Sequence, residues 1–435
     1  MSTPESTITR PKLILCADGG GSKVLVVVRS DDGLEVRGTA GPCNVQSVGH
    51  IPAADRILEA TYRALLQLPS SYLPAQWSAP MLQPQLPPGL RSRVASPAPS
   101  GANTPRSRLP PLKESLFAYC WIALAGMTTP ADAAAFTPFV SNVLSTPAER
   151  ISMTNDVNLL AAPALHQSGI DHCVAVVCGT GTIGRTIRIR GKGEELPPSP
   201  PGDGREAEID NAASKENALD QGLPLEDVGV ARGWGYMLCD EGSAFWIGRL
   251  AIRWLLHQWD REHSTAIYSS PTTPRGPLYT DLLEYFAVDD PTELIGIVSL
   301  MSDFSDGLTT GEASAKRNAY QAGAARVVFK WAFPEEQGVT VTTDLEMASH
   351  VAALKIAQSA IKPVIDLTLE TLGDRTVVDP QRTAFNLGGG LWNSPGYRKL
   401  CLDGLAVEGV NFRSINLVDD AAGEGAKALA GAVFK

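Results

Sequence analysis

The sequence contains one local pattern twice, an apolar strand followed by a glycine-rich turn and a second strand. The first copy runs from the apolar residues 12–17 through the turn 18–23 into a β-branched stretch. The second copy runs from residues 173–178 through the turn 179–184 into residues 185–190, which alternate between polar and apolar side chains. This alternation is typical of a strand and not of an amphipathic helix. Each copy is therefore predicted to form two strands joined by a glycine turn.

Both turns are suited to an anionic ligand. Glycines leave several backbone N–H groups exposed at one point, and the missing Cβ atoms allow a ligand to approach the main chain closely. The hydroxyl groups of Ser22, Thr180 and Thr182 add hydrogen-bond donors. Two such turns across a cleft predict a polyphosphate site, whereas one turn alone would indicate an ordinary hairpin.

A dinucleotide-binding fold is the competing interpretation, because residues 179–184 also match the pattern G-x-G-x-x-G. In that fold the pattern opens a helix, whereas a strand-like alternation follows it here. The Walker A string G-x-x-x-x-G-K-[S/T] does not occur in the sequence. A third glycine turn, Gly388–Gly390, lies between a short apolar strand and a helix-like stretch that begins near Pro395. This third turn is interpreted either as a contact to the nucleotide or as the start of a helix in a crossover.

Three aspartates follow strands or turns. Asp18 opens the first glycine turn and is predicted to hold Mg²⁺ through water, since this ion usually keeps several water ligands. Asp156 stands between the strand-like residues 151–154 and a helical run, where it would serve as the base that a hydroxyl acceptor of a phosphoryl group requires. Asp240 precedes a long amphipathic helix. For Asp156 and Asp240 the alternative interpretation is a helix N-cap.

The composition limits the classes of partner. The 435 residues predict two or three domains, and the formal net charge of −10 disfavours nucleic acid and anionic membranes as partners. The seven cysteines are scattered without a C-x-x-C pair, which argues against a disulfide framework and a zinc cluster. The sequence has neither an apolar leader nor an 18-residue apolar run, and the protein is expected to be cytoplasmic.

Two segments differ from the rest in composition. Residues 69–111 are rich in proline and contain no acidic residue, and residues 191–227 are rich in acidic residues and proline. Such segments hold too few large apolar side chains to offset the entropy lost on ordering. The first is predicted to be a mobile insertion and the second a loop insertion. Apolar recurrence predicts helices over 242–259, 312–331 and 346–372.

Six strings, taken in order, resemble the N-acetylglucosamine kinase branch of the sugar kinase/Hsp70/actin superfamily, within the BadF/BadG/BcrA/BcrD-type ATPases. The strings are CADGGGSK, GPCN, TNDVNLLA, CGTGT, RGWGYMLCDEGSAFWIG and LGGGLWNSPGY. The resemblance implies an α/β protein of two ribonuclease-H-like (actin-like ATPase) domains around a central cleft. It also implies an enzyme that uses ATP and Mg²⁺ to phosphorylate N-acetylglucosamine at its 6-hydroxyl group.

The resemblance also implies roles for individual residues. Asp156 would be the general base, and Asp18 would hold Mg²⁺ through water. The residues that would contact the amino sugar are Asn44, Asp156, Gly233, Trp234, Gly235 and Asp240. The residues that would contact ATP are Gly19, Gly20, Gly21, Ser22, Lys23, Gly179, Thr180, Gly181, Gly323, Gly388, Gly389 and Gly390. The sequence departs from the pattern of the family at two places that concern the sugar contacts. Cys239 replaces a glycine of the family, and Ala125-Gly126-Met127 stands where Ser-Gly-Gly is usual.

The expected domains are an N-terminal one over 1–165 and a C-terminal one over 166–420, with residues 421–435 packing back on the first. The expected partner is an amino sugar, and a homodimer is kept open as the oligomeric state. Two other functions remain open for the same fold, a catalytically weak sugar sensor and an activator-type ATPase.

Overall fold

The computed structural model describes residues 10–21, 23–78, 80–82, 109–190, 223–264, 275–299 and 310–434. The described residues divide into two compact units. The first unit consists of those in Met1–Asp171, Arg188–Glu226 and Asp420–Lys435. The second unit consists of those in His172–Ile187 and Asp227–Asp419.

The sheet of the first unit has five strands in the order β3-β2-β1-β4-β5. The first three strands form an antiparallel meander, and β4 and β5 run parallel to β1. The apolar run after residue 12 becomes the fully buried part of β1, as expected for a central strand with both faces covered. The strands are β1 Leu13–Gly19, β2 Val24–Ser30, β3 Glu35–Ala40, β4 Phe117–Leu124 and β5 Ile151–Thr154.

The second sheet repeats this order. Read from β8, its strands follow β8-β7-β6-β9-β10, so the second glycine turn joins the central strand β6 to β7 as the first joins β1 to β2. Strand β9 pairs in parallel with β6, and β10 in parallel with β9. The strands are β6 His172–Cys178, β7 Thr182–Ile189, β8 Leu225–Arg232, β9 Thr383–Gly388 and β10 Ser414–Leu417. The repeated strand order is that of a ribonuclease-H-like fold.

Helices cover the sheets. The α-helices are α1 Val45–Val48, α2 His50–Leu65, α3 Pro130–Leu144, α4 Ala244–His263, α5 Pro277–Phe286, α6 Glu293–Ser299, α7 Thr310–Gly323, α8 Ala325–Ala332, α9 Asp344–Leu372, α10 Pro395–Val407 and α11 Ala421–Val433. The 3₁₀ helices are Ser70–Tyr72, Ala148–Arg150, Asp156–His166, Tyr236–Leu238, Pro334–Gln337, Pro380–Arg382 and Gly390–Asn393.

Each unit has its own apolar core. In the first unit, α2 and α3 pack on one face of the sheet, and α11 packs on β1, β2, β4 and the 3₁₀ helix Asp156–His166. In the second unit the long helix α9 lies against α4, α5, α8 and α10. None of the described helices is both long and apolar enough to span a bilayer.

The structure alters three sequence-based expectations. The predicted helix over 312–331 is two helices, α7 and α8, which meet at Ala324. The predicted mobile insertion over 69–111 includes packed residues at its borders, because Leu73 is buried and the carbonyl of Pro110 accepts a hydrogen bond from the Tyr62 hydroxyl at 2.9 Å. The loop predicted over 191–227 includes the start of a strand, since β8 begins at Leu225. The remaining residues of both segments lie outside the described part of the chain.

Two helical glycines of the second unit test how tightly its helices pack. A Cβ atom at Gly248 in α4 would lie 2.0 Å from the main-chain oxygen of Gln321, and one at Gly404 in α10 would lie 2.2 Å from Cδ1 of Ile365. A backbone atom cannot move aside, whereas the end of an isoleucine side chain can rotate. We expect Gly248→Ala to lower the free energy of unfolding by about 1–3 kcal/mol. The same change at Gly404 should stay within about 1 kcal/mol of the original protein, because alanine favours the helix.

Urea denaturation of the two variants beside the unchanged protein measures this difference. Equal losses of stability in both variants would contradict this account of the α4 packing.

Candidate functional site

The first group of predicted site residues lies at one edge of the first sheet, here called the first-unit edge, where the parallel strands β1, β4 and β5 end. Gly19 of β1 is in register with Leu124 of β4, and Ala123 is in register with Thr154 of β5. Carboxyl ends of adjacent parallel strands meet at the same edge and commonly hold ligands in α/β proteins. The residues that follow the three strands at this edge are Gly20 and Gly21, Ala125 and Gly126, and Asn155 and Asp156.

The first glycine turn is closed by its own backbone. The N–H of Gly20 donates to the carbonyl of Lys23 at 2.9 Å, and the carbonyl of Gly20 accepts from the N–H of Cys43 at 3.0 Å. A Cβ atom at Gly21 would meet nothing within 4 Å, and Lys23 is exposed. Open space beside an exposed backbone turn and an ammonium group suits a phosphate. The predicted contact at Ser22 lies outside the described residues.

Asn44 serves as a cap at this edge. Its Oδ1 accepts hydrogen bonds from the N–H groups of Gln46 at 3.1 Å and Ser47 at 3.3 Å, so it holds the start of the short helix α1. A Cβ atom at Gly126, which has a left-handed φ of 86°, would lie 2.7 Å from the same oxygen. The contact that the resemblance implies between Asn44 and a sugar stays a prediction, and the structure adds a capping role that the string GPCN did not indicate.

Asp156 is not the N-cap of the helix that follows it. That position belongs to Asn155, whose Oδ1 accepts a hydrogen bond from Val157 N–H at 3.2 Å. The Asn155 side chain is buried, and its Nδ2 donates to the carbonyl of Met127 at 3.1 Å. Asp156 is then the first residue of the 3₁₀ helix and is partly exposed. The N-cap interpretation of Asp156 is wrong, and its base role stays a prediction.

Asp18 has an unusual charge environment. The pKa of its carboxyl group is raised to about 6, mainly by burial and also by the charges of Asp156 and Asp420, while Lys23 opposes the shift. Like charges in a poorly hydrated place disfavour ionisation of both groups. A divalent cation would relieve this repulsion.

The residues at the first-unit edge fit Mg²⁺ held through water. Among the described residues no three His, Cys, Asp or Glu side chains form a group that could bind a metal directly. Mg²⁺ commonly keeps several waters and takes one or two carboxylates, and Asp18 with Asp156 nearby supplies that number. The predicted water-mediated role of Asp18 therefore fits the donor set, and it stays a prediction.

The second glycine turn lies at the matching edge of the second sheet, here called the second-unit edge. The N–H of Gly179 donates to the carbonyl of Gly181 at 2.9 Å, and Thr180 is exposed. The third turn adjoins it, because a Cβ atom at Gly389 would lie 2.5 Å from the carbonyl oxygen of Cys178. Gly389 also has a left-handed φ of 97°, so glycine is required there on two counts. Gly179 and Gly390 face open space, while Gly388 is buried in β9.

Asp240 ties the second glycine turn to the loop 233–242. Its Oδ1 accepts a hydrogen bond from Thr182 N–H at 3.3 Å. Cβ atoms at Gly181 and Gly233 would lie 2.6 and 2.3 Å from the carboxylate oxygens of Asp240. Both positions must therefore be glycine for the Asp240 carboxylate to lie this close to the backbone. Burial raises the pKa of Asp240, and hydrogen bonds from the backbone oppose the shift. Ser243, not Asp240, is the N-cap of α4, so the N-cap interpretation of Asp240 is wrong.

The loop 233–242 has a strained backbone. Five non-glycine residues of the described chain have left-handed φ values, and three of them are Trp234 at 65°, Cys239 at 84° and Asp240 at 45°. Such conformations cost about 1–3 kcal/mol each and cluster at binding sites. The value at Cys239 gives a physical reason for the glycine that the family has there.

The Trp234 side chain is 67% exposed, so Trp234 is not part of the apolar core. The guanidinium group of Arg232 lies 5.5 Å from the centre of its ring. An exposed indole ring with a guanidinium group beside it offers a flat surface that suits the apolar face of a sugar.

Arg249 is a residue of this loop region that the sequence did not indicate. Its Nη1 donates to Sγ of Cys239 at 2.8 Å, and its guanidinium lies 5.8 Å from the ring centre of Trp246. Arg249, which lies on helix α4, therefore stabilises the strained turn at Cys239. The sequence offered only the position of Arg249 within α4 as a signal for this role. No sequence pattern indicates that a guanidinium group pairs with a thiol.

Gly323 ends α7 and lies against Tyr285. A Cβ atom there would be 2.0 Å from the Tyr285 hydroxyl oxygen, which donates to the carbonyl of Tyr320 at 2.7 Å. The missing side chain thus makes room for a tyrosine of the protein. The predicted contact of Gly323 with adenosine stays untested.

Comparisons with known proteins support the fold. A candidate N-acetylglucosamine kinase from Porphyromonas gingivalis is similar in structure, with 14% sequence identity, 97% of this chain and 99% of that chain covered, and a TM-score of 0.52. A second candidate N-acetylglucosamine kinase, from Chromobacterium violaceum, has 16% identity, coverage of 96% and 99%, and a TM-score of 0.49. The hexokinase of Schistosoma mansoni in complex with glucose has 13% identity, coverage of 98% and 88%, and a TM-score of 0.39.

No protein-family model matches the sequence, and no curated protein sequence matches it. The two repeated sheets and the Porphyromonas gingivalis structure together confirm the predicted α/β class and the actin-like ATPase fold.

The charge environment of Asp18 makes a prediction about its titration. In the metal-free protein its pKa should be about 6. Asp156→Asn removes a negative charge and should lower this pKa, whereas Lys23→Met removes a positive charge and should raise it. Carboxyl-carbon NMR titration of ¹³C-labelled aspartate measures both shifts. Shifts of the same sign in the two variants would contradict the arrangement.

Proposed function

We propose that this protein is an ATP-dependent kinase that phosphorylates N-acetyl-D-glucosamine at the 6-hydroxyl group. One observation carries the proposal. Asp156 stands at the carboxyl end of a parallel strand, and the N-cap of the helix that follows is its neighbour Asn155. The charge of Asp156 acts on Asp18, which lies near the end of the strand that leads into a glycine turn. An acid next to a phosphate-type turn is what phosphoryl transfer to a hydroxyl group requires.

Each unit offers backbone turns suited to the phosphates of ATP. In the first unit the turn Gly19–Gly21, which is open at Gly20 and Gly21, would contact the β- and γ-phosphates together with Lys23. In the second unit Gly179, Thr180 and Gly181 would contact phosphate, and Gly388–Gly390 would border the nucleoside. Mg²⁺, held through water by Asp18, would neutralise phosphate charge when bound.

Asp156 would bind the acceptor hydroxyl group and orient its oxygen for in-line attack. Little covalent chemistry is required of the protein in such a reaction, and positioning dominates the rate. As the O–P bond forms and the bond to ADP breaks, the hydroxyl proton passes to the carboxylate of Asp156. The products are the sugar phosphate and ADP.

The sugar contacts that we propose are, in the second unit, residues of the loop 233–242 and, in the first unit, Asn44 and Asp156. The exposed ring of Trp234 offers an apolar surface, and Asp240 offers a carboxylate whose position is determined by Gly181 and Gly233. A site that hydrogen-bonds to particular hydroxyl and acetamido groups discriminates strongly against analogues that lack them.

A coupled assay of ADP release tests the function. We expect ADP formation to depend on the sugar, with N-acetylglucosamine preferred over N-acetylmannosamine, glucosamine and glucose. Phosphorus NMR of the product should show a phosphomonoester at the 6-position. Rapid ATP hydrolysis without any sugar would support an activator-type ATPase instead. Binding of the sugar without turnover would support a sensor.

The base role of Asp156 makes a separate prediction. Asp156→Asn keeps the shape of the side chain and removes the proton acceptor, so kcat should fall by about 10²–10⁴-fold while the KM for the sugar changes less. Asp403→Asn is the matched control, since Asp403 is exposed and pairs only with Lys399 on α10 among the contacts that the structure gives it. A kcat within a few-fold of the original in Asp156→Asn would exclude the base role.

A further inference from the structure

Helix α11 and the 3₁₀ helix Asp156–His166 pack together on one face of the first sheet. The buried side chains between them include Cys16 of β1, Trp121 of β4 and Leu159 of the 3₁₀ helix. The two elements that carry Asp18 and Asp156 therefore share α11 as a support.

Helix α11 lies close to its neighbours at Gly425. A Cβ atom there would lie 2.7 Å from Sγ of Cys16, 2.7 Å from Cδ2 of Leu159 and 3.6 Å from Cε3 of Trp121. Cys16 and Trp121 have no exposed surface, and neither does Leu159. The position has no room for a methyl group, because the three neighbours come from three different elements of a closed core.

The three neighbours of Gly425 lead directly to the acidic residues. Cys16 precedes Asp18 by two residues on the same strand, and Leu159 follows Asp156 by three residues, about one turn of a 3₁₀ helix. The Trp121 indole Nε1 donates to Oγ1 of Thr154 at 2.9 Å, two residues before Asp156. A displacement of α11 would thus reach both carboxylates through packed side chains and one buried hydrogen bond.

The start of α11 is held independently of Gly425. Asp420 caps the helix by accepting from Gly423 N–H at 3.1 Å, and it accepts from Nη2 of Arg37 on β3 at 2.6 Å. A side chain at Gly425 could not be relieved by a simple shift of the helix, because this end is tied to the sheet.

We infer that Gly425 is a positioning residue for phosphoryl transfer, one whose missing side chain seats α11 on both the strand that carries Asp18 and the helix that carries Asp156. This inference rests on the proposed kinase function. It assigns to α11 a role in the placement of the two carboxylates in addition to its part in the core.

The experiment compares two glycine-to-alanine changes in the same helix of the full chain. Gly425→Ala introduces a methyl group at the crowded position. Gly431→Ala introduces the same group where its nearest neighbour, at 3.3 Å, is Cε1 of the exposed His166 ring, which can move. Both changes favour the helix equally, so the helix propensity cancels in the comparison.

We expect Gly425→Ala to lower kcat by tenfold or more, since misplacement of a reacting group by about 1 Å can cost about 10²-fold. The KM for the sugar should change less, and Gly431→Ala should keep the original kcat. Each kcat is divided by the folded fraction of that variant, which near-UV circular dichroism measures at the assay temperature. The result is the corrected kcat. A purely structural role would lower the folded fraction and leave this corrected kcat unchanged, which would overturn the inference.

A double variant tests the route of the effect. Gly425→Ala with Cys16→Ala removes Sγ and reopens space beside β1, and it should recover a large part of the lost kcat. If the double variant recovers none of the lost kcat while Cys16→Ala alone is fully active, the claim that β1 is displaced is overturned. If Gly425→Ala does not fold, Thr154→Val tests the inference in its place. This change removes the acceptor of the Trp121 indole hydrogen bond while keeping the shape of the side chain. An unchanged kcat in Thr154→Val would then overturn the inference.

The unchanged protein separates this inference from the proposed function. If it forms no ADP with any sugar, the kinase function is wrong. If it is an active kinase and Gly425→Ala has the same corrected kcat, only the positioning role is wrong.

Discussion

The burial of Asp18 beside a second carboxylate is the constraint on which the first unit depends. A carboxyl group at the end of a central strand loses most of its hydration, and the charge of Asp156 makes ionisation harder still. The charge of Lys23 partly offsets this repulsion, and the glycine turn beside it is open at Gly21. The proposed binding of Mg²⁺ at this edge would relieve the repulsion between the two carboxylates.

In the second unit the corresponding constraint is backbone strain. Left-handed conformations at Trp234, Cys239 and Asp240 persist because the loop is tied at several points. Asp240 accepts from the N–H of Thr182, and Arg249 donates to Cys239 from helix α4. The Trp234 ring is exposed, and the Asp240 carboxylate lies against the glycine turn. The loop and the turn are therefore joined by a hydrogen bond and by close packing within this unit.

Much of this could be predicted from the sequence because the relevant interactions are local. A β-branched run after the first glycine turn and period-two alternation after the second predicted strands, and the structure confirms them as β2 and β7. The capping roles could not be predicted in the same way. The structure shows that Asn155, and not Asp156, is the N-cap, since Asn155 accepts from Val157 N–H, and its Nδ2 donates to the distant carbonyl of Met127. Likewise, the resemblance implied a nucleotide contact for Gly323, and only the structure shows that the hydroxyl of Tyr285, 38 positions earlier in the chain, lies beside it.

The sequence by itself determined the α/β class, the repeated strand pairs and the positions of the glycine turns, because hydrophobic periodicity and glycine conformations act over a few residues. Only the tertiary structure showed that neither Asp156 nor Asp240 is the N-cap of the helix that follows it, which glycines serve packing and how α11 supports the strand of Asp18. Those outcomes depend on contacts between residues that are hundreds of positions apart, such as Cys16 with Gly425. The energy of such contacts is set by atomic packing and desolvation in the folded core, which no local pattern encodes.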